Sequence, residues 1–304
     1  MGWTDSRSCG SIHKNYLSEQ EMMSYSRVHN ILITVDVEDW FQVENFKLWI
    51  PFSSWQHLEL RVEKNTHKLL DLLDFRRATF FILGWIAERL PGLVREIHDR
   101  GHEVASHGYK HTMCNQEPPD ILRKDLTDSK KCLEDIIGSE VTGYRAPSFS
   151  INENVLKIIE ESGYQYDSSF NSFAMHGRYG KVDLPLSKKE GIAVKISERF
   201  YEIPVSNLNI RKHVFPMGGG GYFRLIPFSL FKKGIQKILK QDGTYVFYMH
   251  PWEIDPDQPR VKEASASYKF RHYSNLKKTE SKLSALFETF GYARFMTCRQ
   301  YLNL

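Results

Sequence analysis

From residue 31 onward, short runs rich in β-branched and aromatic residues alternate with amphipathic stretches, and Gly, Pro, Asn or Asp punctuates each junction. Runs 31–35, 78–83, 103–106, 141–144, 165–167, 201–204 and 244–248 read as strands. Segments 66–73, 91–100, 120–137, 153–162 and 229–240 read as helices, with Pro91 at a first turn and Gly101, Gly138 and Gly163 as stops. Alternation of this kind demands parallel strands joined by right-handed crossovers, an α/β chain that forms either a (β/α) barrel or a doubly wound sheet. Both architectures put chemistry at the C-terminal ends of strands. The polar residues obey that rule: Asp36 and Glu38 end the first run, His107 and His111 follow the third, Arg145 the fourth, Asp167 ends the fifth, and His250 follows the last.

Composition narrows the function classes. The 304 residues are 41% hydrophobic and 26% charged, enough apolar material for a core and too much for a disordered chain. The 41 Lys+Arg and 37 Asp+Glu are interspersed, so no basic face marks a nucleic-acid partner. No apolar run approaches the roughly 20 residues that span a bilayer. Cys9, Cys114, Cys132 and Cys298 lie far apart without a CxxC clip, which favours a reducing compartment over a disulfide framework. Residues 1–30 are polar, lack a signal-peptide core and read as a disordered extension, so the expected location is the cytoplasm. Residues 31–304 then form one domain, with 255–269 as a polar loop before a last helix near 275–290.

Two motifs carry metal chemistry. In His107-Gly-Tyr-Lys-His111, histidines four apart on a helical turn would face one ion. In Asp36-Val-Glu-Asp39, three carboxylates crowd a strand end, where repulsion is offset by a cation or a functional need unless the segment is simply a solvated strand-to-loop transition. Strand alternation puts Asp36 and Glu38 on one face and Asp39 on the other. Two histidines and a carboxylate make the ligand set of a catalytic divalent ion with open positions. Zinc is the first expectation, with Co, Ni, Mn or Fe as alternatives. A second carboxylate can then take a proton from water, and His250 can return one to a leaving group. Gly218–Gly221 lacks the Lys-Ser/Thr of a phosphate loop and reads instead as a glycine-rich rim that lets backbone approach a sugar.

These residues resemble the NodB-like polysaccharide deacetylases, carbohydrate esterase family 4. Thr34-Val-Asp-Val-Glu-Asp39 resembles the family's first motif, Ser106-His-Gly-Tyr-Lys-His111 its histidine motif and Tyr144-Arg-Ala-Pro147 its third. The run 78–81 (ATFF) and His250 fit the same pattern. Segments 36–43 (DVEDWFQV), 219–225 (GGGYFRL) and 250–255 (HPWEID) are similar to a bacterial subfamily associated with exopolysaccharide and lipid-linked glycan gene clusters, with a C-terminal extension from about residue 255.

The resemblance implies a distorted seven-stranded (β/α) barrel and metal-dependent removal of acetyl from an N-acetylated amino sugar. The partner would be a glycan or lipid-linked oligosaccharide, met in the cytoplasm or at the inner membrane face by peripheral association; oligomeric state has no signal. By position it implies Asp36 as base, His107 and His111 as metal ligands, Arg145 as partner of the base and His250 as acid. Val37 stands where the common motif has its metal-binding aspartate. Glu38 is taken as the third ligand, with Asp39 as the alternative. Asp167 sits at the fourth motif and is expected to orient His250. Ser148 replaces a common aromatic, a harmless change if its backbone N–H serves the oxyanion and a change of substrate fit otherwise; with Trp40, Pro147, Gly220, Tyr222 and Trp252 it is expected to contact substrate. The other readings are an amidohydrolase of a small cyclic amide or ureide, and a silent glycan-binding module.

Overall fold

The computed structural model describes residues 28–173 and 180–304, and in it the alternation becomes a curled sheet. Most of the expected N-terminal extension, residues 1–27, lies outside the described residues, and Asn30 already opens a strand. The strands are β1 (Asn30–Val37), β2 (Ala78–Ile82), β3 (Glu103–Ser106), β4 (Gly143–Tyr144), β5 (Tyr166–Asp167), β6 (Lys189–Glu190), β7 (Ala193–Lys195), β8 (Tyr201–Glu202), β9 (Asn207–Ile210), β10 (His213–Pro216), β11 (Thr244–Met249) and β12 (Arg294–Phe295). The order β11-β1-β2-β3-β4-β5-β8 is parallel throughout, and these are the seven strands expected from the sequence. Between β8 and β11, irregular backbone brings the ends together: Ser206 N–H donates to the Val246 carbonyl at 3.3 Å and Tyr248 N–H to that of Gly218 at 2.7 Å. The sheet therefore curls into a distorted (β/α) barrel and not an open doubly wound sheet.

Strand alternation sorts β1 onto two faces. Ile31, Ile33, Val35 and Val37 pack outward with the helices in the large core. Leu32 points inward to a smaller cluster with Phe81, Ala105, Tyr166 and Val246. Thr34 and Asp36 continue that inward row, so the barrel changes from apolar at the level of Leu32 to polar at its C-terminal mouth.

Helices cover the outside, and one starts where local signals are weak. Val62–Leu73 begins four residues before the expected 66, because its N-terminus is capped from a distance by Asp39. Ala266–Tyr273 begins inside the segment read as loop, with Ser265 accepting from Tyr268 N–H at 3.4 Å. Thr279–Thr289 agrees with the expected last helix in place, yet β12 and helix Cys298–Leu302 follow it.

Candidate active site

The mouth of the barrel opens into a cleft of about 400 Å³ whose lining includes Asp36, Glu38, His107, His111 and His250. Asp36 arrives on β1, and its Oδ1 accepts from Arg145 Nη1 at 2.7 Å. The Arg145 guanidinium is fully buried and every arm is used: Nη1 also reaches Thr34 Oγ1 at 2.7 Å, Nε the Ser168 carbonyl at 2.8 Å and Nη2 the Ser168 hydroxyl at 2.8 Å. It lies over the Phe81 ring at 4.2 Å, on top of the inner apolar layer. The barrel thus fixes a carboxylate at its mouth through a cation seated in its interior.

Glu38, His107 and His111 bring three ligand atoms within 4.8 Å of one another. Glu38 Oε1 lies 3.1 Å from His107 Nε2 and 3.0 Å from His111 Nε2. His107 Nδ1 is 2.7 Å from the Arg145 carbonyl, an acceptor only, so Nδ1 carries a proton and Nε2 is the ring atom turned to Glu38. Burial raises the Glu38 carboxyl, but His111, His250 and His107 outweigh it and hold the pKa well below its ordinary value. An ionised carboxylate with two imidazole nitrogens gathered on it is a donor set that suits a divalent cation.

The histidines do not stand on a helical turn as expected. They flank an irregular loop in which Gly108 (φ 73°) and His111 (φ 55°) both take left-handed backbone. A Cβ at Gly108 would meet the Asp125 carboxylate at 2.9 Å, and that same carboxylate accepts Tyr109 N–H at 2.9 Å. The loop is folded around Asp125, and His111 bears a backbone cost of about 1–3 kcal/mol that such positions carry.

Asp39 takes no part in the cluster. Its Oδ2 accepts from Arg61 and Val62 N–H at 2.7 and 2.9 Å and its Oδ1 from Trp40 N–H at 2.8 Å, so it caps the helix Val62–Leu73. β1 ends at Val37, and the turn that follows sends Glu38 inward and Asp39 away.

His250, just after β11, points Nε2 toward both carboxylates, 4.0 Å from Asp36 Oδ2 and 3.7 Å from Glu38 Oε1. Burial disfavours its charge, but Glu38, Glu253 and Asp36 prevail and hold its pKa up to about 9. Glu253 Oε2 accepts His250 N–H at 3.1 Å and lies 3.5 Å from its Nδ1.

Several expected contacts fall elsewhere. Asp167 does not reach His250: it is buried, accepts the Ser169 hydroxyl at 2.7 Å and shares a hydrogen bond with Glu202. Trp40 does not line the cleft; it is packed in the core edge-on to Phe41, with its indole N–H on the Glu59 carbonyl at 3.3 Å. Pro147 is buried and does not line the cleft, although its neighbours Ala146, Ser148 and Phe149 do. Gly220 faces Glu253 and not the cleft, for a Cβ there would overlap that carboxylate. Trp252 lines the cleft, but its ring is engaged by His272 at 4.1 Å and His250 at 5.1 Å. Ser148 and Tyr222 do line the cleft, Ser148 in left-handed backbone (φ 54°).

Sequence reasoning passed over Glu253, Arg224, His272 and Asp125. The first two stand inside the segments 219–225 and 250–255 that had been singled out, without a role.

Comparison with known proteins accords with this geometry. Residues 53–166 match the family described as Polysaccharide deacetylase, and 168–303 match a domain of unknown function, DUF3473. The sheet runs unbroken across that boundary, since β4 pairs with β5 and β5 with β8. The chain is 34% identical over 126 residues to the peptidoglycan deacetylase-like protein FGM2 of Gibberella zeae, covering 39% of this chain and 36% of that one. It is 35% identical over 102 residues to a peptidoglycan-N-acetylglucosamine deacetylase of Bacillus cereus, covering 33% and 47%. The match thus spans between about a third and a half of these relatives. Among solved structures, a Mycobacterium smegmatis protein assigned as a polysaccharide deacetylase superposes with a TM-score of 0.60 at 19% identity, over 91% of this chain and 90% of that one. PuuE allantoinase superposes with a TM-score of 0.58 at 13% identity, over 90% and 89%. These two likenesses concern the fold alone.

Proposed function

Because the chain carries a polysaccharide deacetylase domain of the NodB, or carbohydrate esterase family 4, type, we propose that it hydrolyses the N-acetyl group of an amino sugar in a glycan or lipid-linked glycan precursor. The observation that carries this reading is the meeting of Glu38, His107 and His111 with Asp36 and His250 in one cleft.

Glu38, His107 and His111 would hold the divalent cation, with zinc as the first choice. When bound, that ion supplies Lewis acidity toward the acetamide carbonyl and lowers the pKa of water. Asp36 accepts the proton of the attacking water, and Arg145 keeps its carboxylate at the mouth. The water oxygen bonds to the carbonyl carbon, and the backbone N–H at Ser148, on the cleft wall, is assigned to the oxyanion. As the C–N bond breaks, His250 gives a proton from Nε2 to the departing nitrogen, so acetate and a free amine result. Tyr222, with Phe149 and Phe270, offers apolar surface for a pyranose ring along the cleft. All three described cysteines are free, in keeping with a reducing cytoplasm and a substrate met at the inner membrane face. No described helix is long and apolar enough to cross a membrane.

Elemental analysis of the purified protein beside His107→Ala, with acetate release from N-acetylglucosamine oligomers, tests the reading. Near-stoichiometric metal and metal-dependent acetate, both lost in the variant, are expected. Bound metal without acetate from any N-acetylated glycan would favour a silent glycan-binding site. Acetate release unaffected by metal removal would overturn the mechanism.

A further inference from the structure

The carboxylate expected to orient His250, Asp167, is committed to Ser169 and Glu202. Another carboxylate stands beside the imidazole. Glu253 Oε2 accepts the backbone N–H of His250 at 3.1 Å and lies 3.5 Å from its Nδ1, while Oε1 accepts from Arg224 Nε at 3.0 Å. Glu253 and Arg224 are each about 2% exposed at the side chain. Arg224 is anchored in turn: Nη2 donates to the Arg271 carbonyl at 2.9 Å, and Nη1 to those of His272 and Ser274 at 3.0 and 2.6 Å. Gly220 completes the socket, since a side chain there would occupy the carboxylate's space.

A buried ion pair is weak evidence for stability, because desolvating two charges offsets most of their attraction. Burial works against the Glu253 anion, and Arg224 and His250 together hold its pKa below the ordinary value, so the carboxylate stays charged. Gly220 and Arg224 enclose this anion on the side away from His250, and the carbonyls of 271–274 hold Arg224 in turn. Resting on the reading of His250 as proton donor, we propose that Glu253 is the positioning residue of that histidine, held in place by Arg224 and the end of helix Ala266–Tyr273. Its carboxylate accepts the Nδ1 proton, which leaves Nε2 as the atom that faces Asp36 and Glu38 and delivers a proton to the leaving amine. At 3.5 Å the contact has the length that catalytic hydrogen bonds often show before substrate is bound. The region matching a domain of unknown function would then supply both the donor and the clamp that aims it.

Glu253→Gln in the metal-loaded full chain is the test, read by kcat and KM for acetate release, metal content, and nitrogen-15 shifts of the His250 ring. Expected are a kcat roughly 10–100-fold lower, KM within about two-fold, unchanged metal, and an altered Nδ1 shift. Wild-type kcat with an unchanged His250 shift would overturn the proposal. Should the variant not fold, the wild-type spectrum decides: Nδ1 must carry a hydrogen-bonded proton, and a bare Nδ1 overturns the role. If the wild-type protein releases no acetate, the hydrolytic reading fails by itself, and the His250 spectra still decide the place of Glu253.

Discussion

Glu38 and Asp39 are neighbours in the chain and opposite in duty: Glu38 meets two imidazoles at 3.0 and 3.1 Å, while Asp39 collects three backbone N–H groups and caps a helix. One residue of register separates the proposed metal ligand from a cap. Glu38→Ala should therefore abolish stoichiometric metal binding. Asp39→Ala should retain the metal and lose on the order of 1–2 kcal/mol of stability through the missing cap. Elemental analysis and urea unfolding of both variants check this. Metal lost from Asp39→Ala and kept by Glu38→Ala would reverse the assignment.

Arg145 serves two neighbours through different atoms, since its guanidinium holds Asp36 and its carbonyl orients His107. Arg145→Met keeps the carbonyl and removes the cation, leaving Asp36 buried without its partner. Such a loss costs about 3–5 kcal/mol. Metal binding should survive within about ten-fold, because the His107 acceptor is backbone. Chemical denaturation and metal titration of the variant would separate the two effects, and unchanged stability would remove Arg145 from its structural part.

The buried pair Asp167 and Glu202 gives a pH signature unrelated to catalysis. Burial pushes Asp167 up to about 6 against its hydrogen bonds, and burial with the Asp167 charge pushes Glu202 well above its ordinary value. Both folded-state values exceed the unfolded ones near 4. Their stabilising contribution is thus complete below about pH 4 and lost as pH rises through about 6 and beyond. Asp167→Asn, which keeps a partner for the Ser169 hydroxyl and a donor for Glu202, should flatten that decline by on the order of 2 kcal/mol. Urea unfolding between pH 4.5 and 8 measures it, and identical slopes for both proteins would refute the shared-proton picture.

How much was legible beforehand follows from where each signal resides. The seven parallel strands were readable because β-branched runs and the residues at their ends are local features, as with Leu32, Thr34 and Asp36 on one face. Asp39 as a cap, Glu253 as a neighbour of His250 and Asp125 beneath the histidine loop are contacts between distant segments, and no periodicity announces them. Spacing alone also misjudged the histidine pair. Four residues suit a helical turn, yet left-handed Gly108 and His111 bring the rings together from a loop. Trp40 shows the reverse error: an aromatic beside a motif belonged to the core, and only its bond to Glu59 from a separate segment reveals why.

Asp36 is the residue on which the proposed chemistry turns, since it lies at the mouth, held by Arg145 and 4.0 Å from His250 Nε2. Asp36→Asn preserves size and an oxygen able to accept the Arg145 bond, so folding and metal content should change little. Its amide cannot accept a proton from water at neutral pH. Acetate release should fall by roughly 10²–10⁴-fold, the usual range for losing a general base. The loss should appear in kcat with KM nearly constant, because the acetamide is bound by other groups. A variant that kept wild-type turnover with full metal occupancy would transfer the role of base away from Asp36 and leave it as the counter-charge of Arg145.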